Sequence, residues 1–249
     1  MLALAACGQA ASTQDPNTAS LGPGTLIAAR SDDGERQQFR IDSIDADPKD
    51  RDGDVRLYGV SVLVDDTWRP YCRPDVEGRI AAIPVEGSWN ESGEREPGND
   101  EVTFACTSGA IAKCIRFGYK PWQVRDGKSL RPYHAACMRM VRADYCGDGR
   151  PHTVDGTQID IWDHLGIQTR EQRAAHPEVF EAAWSPRGAV YLNIPRWSDD
   201  VDDVARECPG NFVTSRDRAL TPDQAEHELA DVLIFDARYL QAADRRVAN

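Results

Sequence analysis

Residues 103–149 read Thr103-Phe-Ala-Cys106-Thr-Ser-Gly-Ala-Ile-Ala-Lys-Cys114-Ile-Arg-Phe-Gly-Tyr-Lys-Pro-Trp122, then, after a short polar link, Leu130-Arg-Pro-Tyr-His134-Ala-Ala-Cys137-Met-Arg-Met-Val-Arg-Ala-Asp144-Tyr145-Cys146-Gly-Asp-Gly149. Four of the chain's seven cysteines fall here, among its densest run of aromatics. Two helices are predicted. After the strand Val102–Phe104, Thr107 or Ser108 can cap a helix in which Ala110, Ile111, Cys114 and Ile115 recur at helical spacing, and Gly118 can close it. The second helix starts near Leu130 with Pro132 in its first turn, where a missing N–H does no harm. Tyr133, Cys137, Met140, Val141 and Tyr145 form its apolar stripe, Arg139 and Arg142 fall to the side, and Gly147 or Gly149 can end it. Cys114 and Cys137 then both face inward, while Cys106 and Cys146 sit at helix ends.

Ala143-Asp144-Tyr145-Cys146, with the Ala112–Trp122 run, the Tyr133–Cys137 run and Cys146-Gly-Asp-Gly leading into Thr153–Asp163, resembles the ADYC domain family across about residues 57–192. The resemblance implies a secreted or envelope-exposed bacterial protein and implies no particular activity. It also implies a further cysteine where this chain has Tyr191.

Working outward, the first seven residues end in Leu4-Ala5-Ala6-Cys7, which looks like a bacterial lipobox. Cys7 would then carry a lipid, and Gly8 in the next position favours the outer membrane. The apolar run is shorter than a full signal peptide and lacks a basic start, so the natural start is expected further upstream. Residues 8–24 are polar and small without periodicity, and read as a flexible tether. Residues 25–249 are expected to form one α+β domain around a cysteine-rich core at 103–163.

An exported chain with Cys72, Cys106, Cys114, Cys137, Cys146 and Cys208 left over suggests up to three disulfides. Six cysteines allow fifteen pairings, and spacing does not select among them. Two inward-facing helical cysteines make Cys114–Cys137 the first choice, with Cys72–Cys106 and Cys146–Cys208 taken for the remainder. Zinc is disfavoured because the cysteines do not come in CxxC pairs. No cofactor or metal site is expected. Asp50, Asp52 and Asp54 could offer oxygens to calcium, but Gly53 is misplaced for an EF-hand loop, and a solvated loop is preferred.

Of 249 residues, 41% are apolar and 28% charged, with a net charge of −12. That charge opposes nucleic-acid binding, which needs a basic face, and opposes adhesion of the domain itself to an anionic membrane. A lipid-anchored membrane attachment and an envelope protein partner remain the expected contacts.

Thr25–Val85 alternates as strands, with a turn at Asp33-Gly34 and a two-faced apolar strand at Val55–Val64. A polar loop follows, anchored by Trp89. A hairpin is expected to turn at Asp155-Gly156 into Ile159–Ile161, and another to span Phe180–Leu192. Thr221-Pro222-Asp-Gln224 has the marks of a capping box, and Ala225, Leu229, Val232, Leu233, Asp236, Tyr239, Leu240 and Ala243 continue at helical spacing with one polar exception. A C-terminal helix packed across an antiparallel sheet is therefore predicted.

Two functions are compatible with this pattern. The preferred one is a lipid-anchored binding or structural module of the cell envelope, with no particular activity assigned. The alternative is a Cys/His hydrolase, an amidase or peptidase. Cys106 lies where a strand meets a helix start, which favours thiolate, and Phe-Ala-Cys106-Thr-Ser-Gly is similar to the strand–Cys–helix arrangement of papain-like peptidases. His134 would be its base and Asp144, Asp155 or Asp160 the orienting carboxylate. The two readings part on whether Cys106 is bridged. The chain has no phosphate-binding glycine loop, serine elbow or HExxH motif.

Overall fold

A computed structural model describes residues 22–30, 36–89, 95, 102–154, 156–171, 178–196, 200–216 and 218–239. In chain order the elements are β1 (Leu26–Arg30), β2 (Arg36–Ala46), β3 (Arg56–Val64), β4 (Thr67–Pro70), β5 (Ala82–Glu86), β6 (Val102–Cys106), α1 (Ala110–Arg116), the two-residue strands β7 (Val124–Arg125) and β8 (Lys128–Ser129), α2 (Arg131–Arg142), β9 (Ile159–Trp162), β10 (Glu178–Ser185), β11 (Gly188–Leu192), α3 (Val201–Glu207), β12 (Val213–Thr214), α4 (Pro222–Glu228) and β13 (Ile234–Tyr239). The mixed α+β class with mainly antiparallel sheet holds.

The strands make two sheets. The first runs β1-β2-β3-β5-β6, with β4 added to β3; the second runs β12-β11-β10-β13-β9, and only its β11–β12 pair is parallel. β3 is apolar on both faces and sits inside the first sheet, as a two-faced strand must. Tyr58 and Val60 pack with Phe39 and Ile41 on one face, while Leu57 packs with Ile83, Ala112 and Ile115 on the other. α1 thus covers the second of these faces. α2 lies against the second sheet, with Cys137, Met140 and Tyr145 among Trp184, Leu192 and Ile234.

Three disulfides tie these layers: Cys72–Cys106, Cys114–Cys137 and Cys146–Cys208. The second joins α1 to α2, and both its cysteines are fully buried.

Several details depart from the sequence expectations. α1 is entered through Gly109 without a side-chain cap, so neither Thr107 nor Ser108 serves. Gly118 does take the left-handed conformation after the helix, with φ 97°. α2 ends on Ala143 in the left-handed region, ahead of Gly147 and Gly149. β9 pairs with β13, and Asp155 of the expected Asp155-Gly156 hairpin lies outside the described residues. The Asp33-Gly34 turn and Cys7 also lie outside them.

The largest correction is at the C-terminus. The capping box forms as read, with Thr221 accepting from Gln224 N and the Gln224 side chain accepting from Thr221 N. The helix nevertheless stops at Glu228, and residues 234–239 become the strand between β10 and β9. An interior strand is apolar on both faces, so a period of 3.6 can be drawn through it. Phe235 and Ala237 face one cluster and Ile234 the other.

Candidate functional site

The turn after α2 is tied down by hydrogen bonds, an ion pair and a disulfide. Ala143 adopts φ 51°, which swings Asp144 back so that its N–H donates to Arg139 O. The Asp144 carboxylate accepts from Arg139 Nη1 at 2.5 Å and from Gly149 N at 2.9 Å, fixing the loop to its own helix. Arg139, expected at the helix side, is buried by this pairing and by a bond to Pro186 O at 3.2 Å. A buried guanidinium needs such partners.

Tyr145 is fully buried and stacks on Trp184. Its hydroxyl donates to Glu181 Oε1 at 3.0 Å and accepts from Arg196 N at 2.7 Å. Burial raises the phenol well above its ordinary pKa, and the Glu181 charge adds to this, so it remains a donor. Arg196 donates through Nε and Nη2 to Glu181, at 2.8–3.1 Å, and through Nη2 to Asp236 at 3.2 Å and Met140 O at 3.1 Å. Trp184 Nε1 donates to Asp236 Oδ1 at 2.7 Å. One arginine therefore joins the end of α2, β10 and β13. The next residue of the turn, Cys146, is bridged to Cys208 after α3.

A second polar cluster lies on the other side of α1. Lys120 Nζ donates to Asp50 Oδ1 at 2.5 Å, to Asp52 Oδ2 at 2.8 Å and to Asp54, while Trp122 Nε1 and Gln123 bind Asp54 Oδ2. The loop is solvated at Arg51–Gly53, with Asp52 58% exposed, but Asp50 and Asp54 turn inward onto Lys120, which is 3% exposed. Burial alone would depress its pKa, but the hydrogen bonds to Asp50, Asp52 and Asp54 outweigh that and raise it. The three carboxylates are close enough to one another to hold a cation, and the ammonium supplies one.

The residues of the hydrolase reading are not assembled. Cys106 is bridged to Cys72 and has no thiolate to offer. It packs with the Phe39 cluster on one face of the first sheet, whereas His134 lies beyond the other face, against Trp89. His134 Nε2 binds Ile111 O at 3.3 Å, and burial pushes its pKa down to about 4. Asp144 is held by Arg139, and Asp160 accepts from Ile161 N and Glu171 N. Among the described residues, Cys106, His134, Asp144 and Asp160 therefore do not converge on one site.

The sequence reading missed Arg196, Glu181 and Asp236. A signal existed for two of them: Glu181 and Asp236 are the single charges inside Val179-Phe-Glu-Ala-Ala-Trp184 and Val232-Leu-Ile-Phe-Asp-Ala237. A lone acid in a buried strand requires a partner.

No curated protein and no solved structure shows significant similarity to the chain. A family model for the ADYC domain matches residues 23–198. The match covers more than half of the sequence and includes the Ala143–Cys146 turn, Glu181 and Arg196, so the chain belongs to the ADYC domain family.

Proposed function

We propose that this protein is a lipid-anchored, disulfide-braced module of the bacterial cell envelope that binds a partner or bears structure and does not catalyse. The observation that carries the reading is the Cys72–Cys106 bridge, which occupies the one cysteine placed for nucleophilic chemistry. Three bridges also fit an oxidising compartment. Among the described residues no helix is long and apolar enough to cross a membrane, so attachment would rest on the lipid at Cys7 and the tether of residues 8–24. Outer-membrane placement rests on Gly8 after Cys7. The occupant of the module would be an envelope protein rather than nucleic acid, given the net charge of −12.

Two measurements test this. Metabolic labelling with an alkyne fatty acid should tag the full-length protein in cells, and Cys7→Ala should abolish the tag; an untagged wild type removes the anchor. Alkylation of the native protein followed by digestion without reduction should return the three linked peptides. Rapid modification of Cys106 near neutral pH would return the hydrolase to first place.

A further inference from the structure

Glu181, Asp236 and Arg196 form an enclosed set in the second sheet. Both carboxyl side chains have no solvent exposure, and the arginine side chain has 3%. Two carboxyl groups thus meet one guanidinium, and the same nitrogen, Arg196 Nη2, lies 2.8 Å from Glu181 Oε1 and 3.2 Å from Asp236 Oδ2. With both acids ionised the set would carry a net negative charge away from water, which a low-dielectric interior penalises severely.

Among the described residues, the neighbours that bond the pair do not supply a second cation. Tyr145, following α2, gives a neutral hydroxyl to Glu181, and Trp184 on β10 gives a neutral N–H to Asp236. From α2, Arg139 is matched by Asp144 at 2.5 Å. From β9, the residue paired with Asp236 is the apolar Ile161, while Asp160 pairs with Ala237 on the opposite face, its oxygens accepting from Ile161 N and Glu171 N. Held on the one nitrogen, the two carboxyl groups are close neighbours, so that ionisation of either opposes ionisation of the other.

We infer that Glu181 and Asp236 share one proton in the native protein, and that this proton is the catch holding the Ala143–Cys146 turn and the end of α2 on the second sheet. The proton belongs to the pair. With it the set is neutral: one guanidinium, one carboxylate, one acid. Burial, and after it the Glu181 charge, pushes Asp236 well above the ordinary carboxylate range, in keeping with this count. Arg196 reaches Met140 O and Val141 O at the end of α2, and its backbone N–H binds Tyr145, so a charge imbalance at the pair falls directly on that junction.

The direction of the pH response follows. A folded-state pKa above the unfolded value means that the native state holds the extra proton. Its stabilisation is complete below the ordinary carboxylate pKa and is lost as pH rises towards the raised value. The junction is therefore alkali-sensitive, opposite to the usual surface carboxylate.

Infrared spectroscopy of the wild-type protein in D2O tests this without any substitution. A carbonyl stretch of a buried carboxylic acid should be present at neutral pH, when exposed carboxylates are ionised, and should vanish in Asp236→Asn. Urea midpoints give a second readout. Relative to Asp236→Asn, the wild-type midpoint should fall steadily from the acid range into the alkaline range, and Glu181→Gln should flatten the profile in the same way. Absence of the acid band in the wild type at neutral pH overturns the proposal, as do parallel profiles for wild type and Asp236→Asn. Should the variants fail to fold, the wild-type band decides alone.

Discussion

Gly147 and Gly188 meet backbone to backbone, so that a Cβ on Gly188 would stand 2.8 Å from Gly147 N and 2.6 Å from Tyr145 O. A Cβ on Gly147 would fall 1.8 Å from Arg187 O. Both have positive φ, 71° and 117°. The approach lets Ala189 N reach Tyr145 O at 3.0 Å, pinning the turn after α2 onto the β10–β11 hairpin. Gly147→Ala should therefore lose roughly 3 kcal/mol, since the clash is with backbone and adds to the left-handed penalty. Gly127→Ala is the control: its φ is 74° but nothing lies within 4 Å, so it should lose only about 1 kcal/mol. Urea midpoints at constant m-value measure both, and equal losses would remove the close-approach argument.

Lys120→Met should destabilise by roughly 2–3 kcal/mol, below the full cost of a broken buried pair because Asp52 is 58% exposed and water screens it. Its pH dependence carries the sign. Hydrogen bonds to Lys120 and to backbone hold Asp50 below its ordinary value despite burial, and hydrogen bonds to Lys120 and Gln123 do the same for Asp52. That stabilisation is present above the ordinary carboxylate pKa and is lost as pH falls through the lowered one. The gap between wild type and Lys120→Met should hence close on acidification. A gap that widens would show that the lysine is not neutralising those carboxylates.

What the sequence made legible is what depends on neighbouring residues. The α2 helix, the Phe180–Leu192 hairpin and the Thr221 capping box all arise from spacing within one segment, and all three formed. The failures need information from elsewhere in the chain. Asp50–Asp54 looks like surface until Lys120, far along the chain, is placed among its carboxylates. Asp236 looks like a tolerated exception on a helix until Arg196 and Trp184 are placed beside it. Arg139 looks like a flanking charge until Asp144 turns back upon it, and that turn depends on a left-handed alanine which no local propensity favours.

His134 gives a pH signature of the opposite sense to the Glu181–Asp236 pair. Burial lowers it to about 4, against an unfolded value near 6.5, so the native state holds the neutral ring. Stability is complete above the unfolded value and falls as pH drops through the window down to the folded one. The window corresponds to a loss of roughly 3 kcal/mol for a group this buried. His134→Gln, which keeps a donor for Ile111 O, should flatten the acid limb of a midpoint-against-pH plot. Because each site is read as the difference between wild type and its own variant, the two opposing slopes separate. An unchanged acid limb in His134→Gln would mean that the ring takes up its proton as readily in the fold as in the unfolded chain.

Phe235 distinguishes the strand from the helix that the local pattern suggested. On a helix continuing from Thr221, the stripe through Val232, Leu233, Asp236 and Tyr239 would leave Phe235 and Ala237 on the outer side, where truncation costs little. On β13 the Phe235 ring instead stacks on Trp162 at 5.6 Å, and Ala237 shares its cluster with Phe180 and Tyr191. Phe235→Ala should then lose about 3–5 kcal/mol by urea unfolding, the range for a large aromatic removed from a packed core. Ala237→Asp should do worse, since it buries a second carboxyl on this strand without a cation. Glu226, exposed on α4, is the control, and Glu226→Ala should stay within about 0.5 kcal/mol of wild type. If Phe235→Ala matched that control, the strand would be misplaced. The Trp184–Asp236 hydrogen bond, which runs diagonally between the paired strands β10 and β13, would then be lost with it.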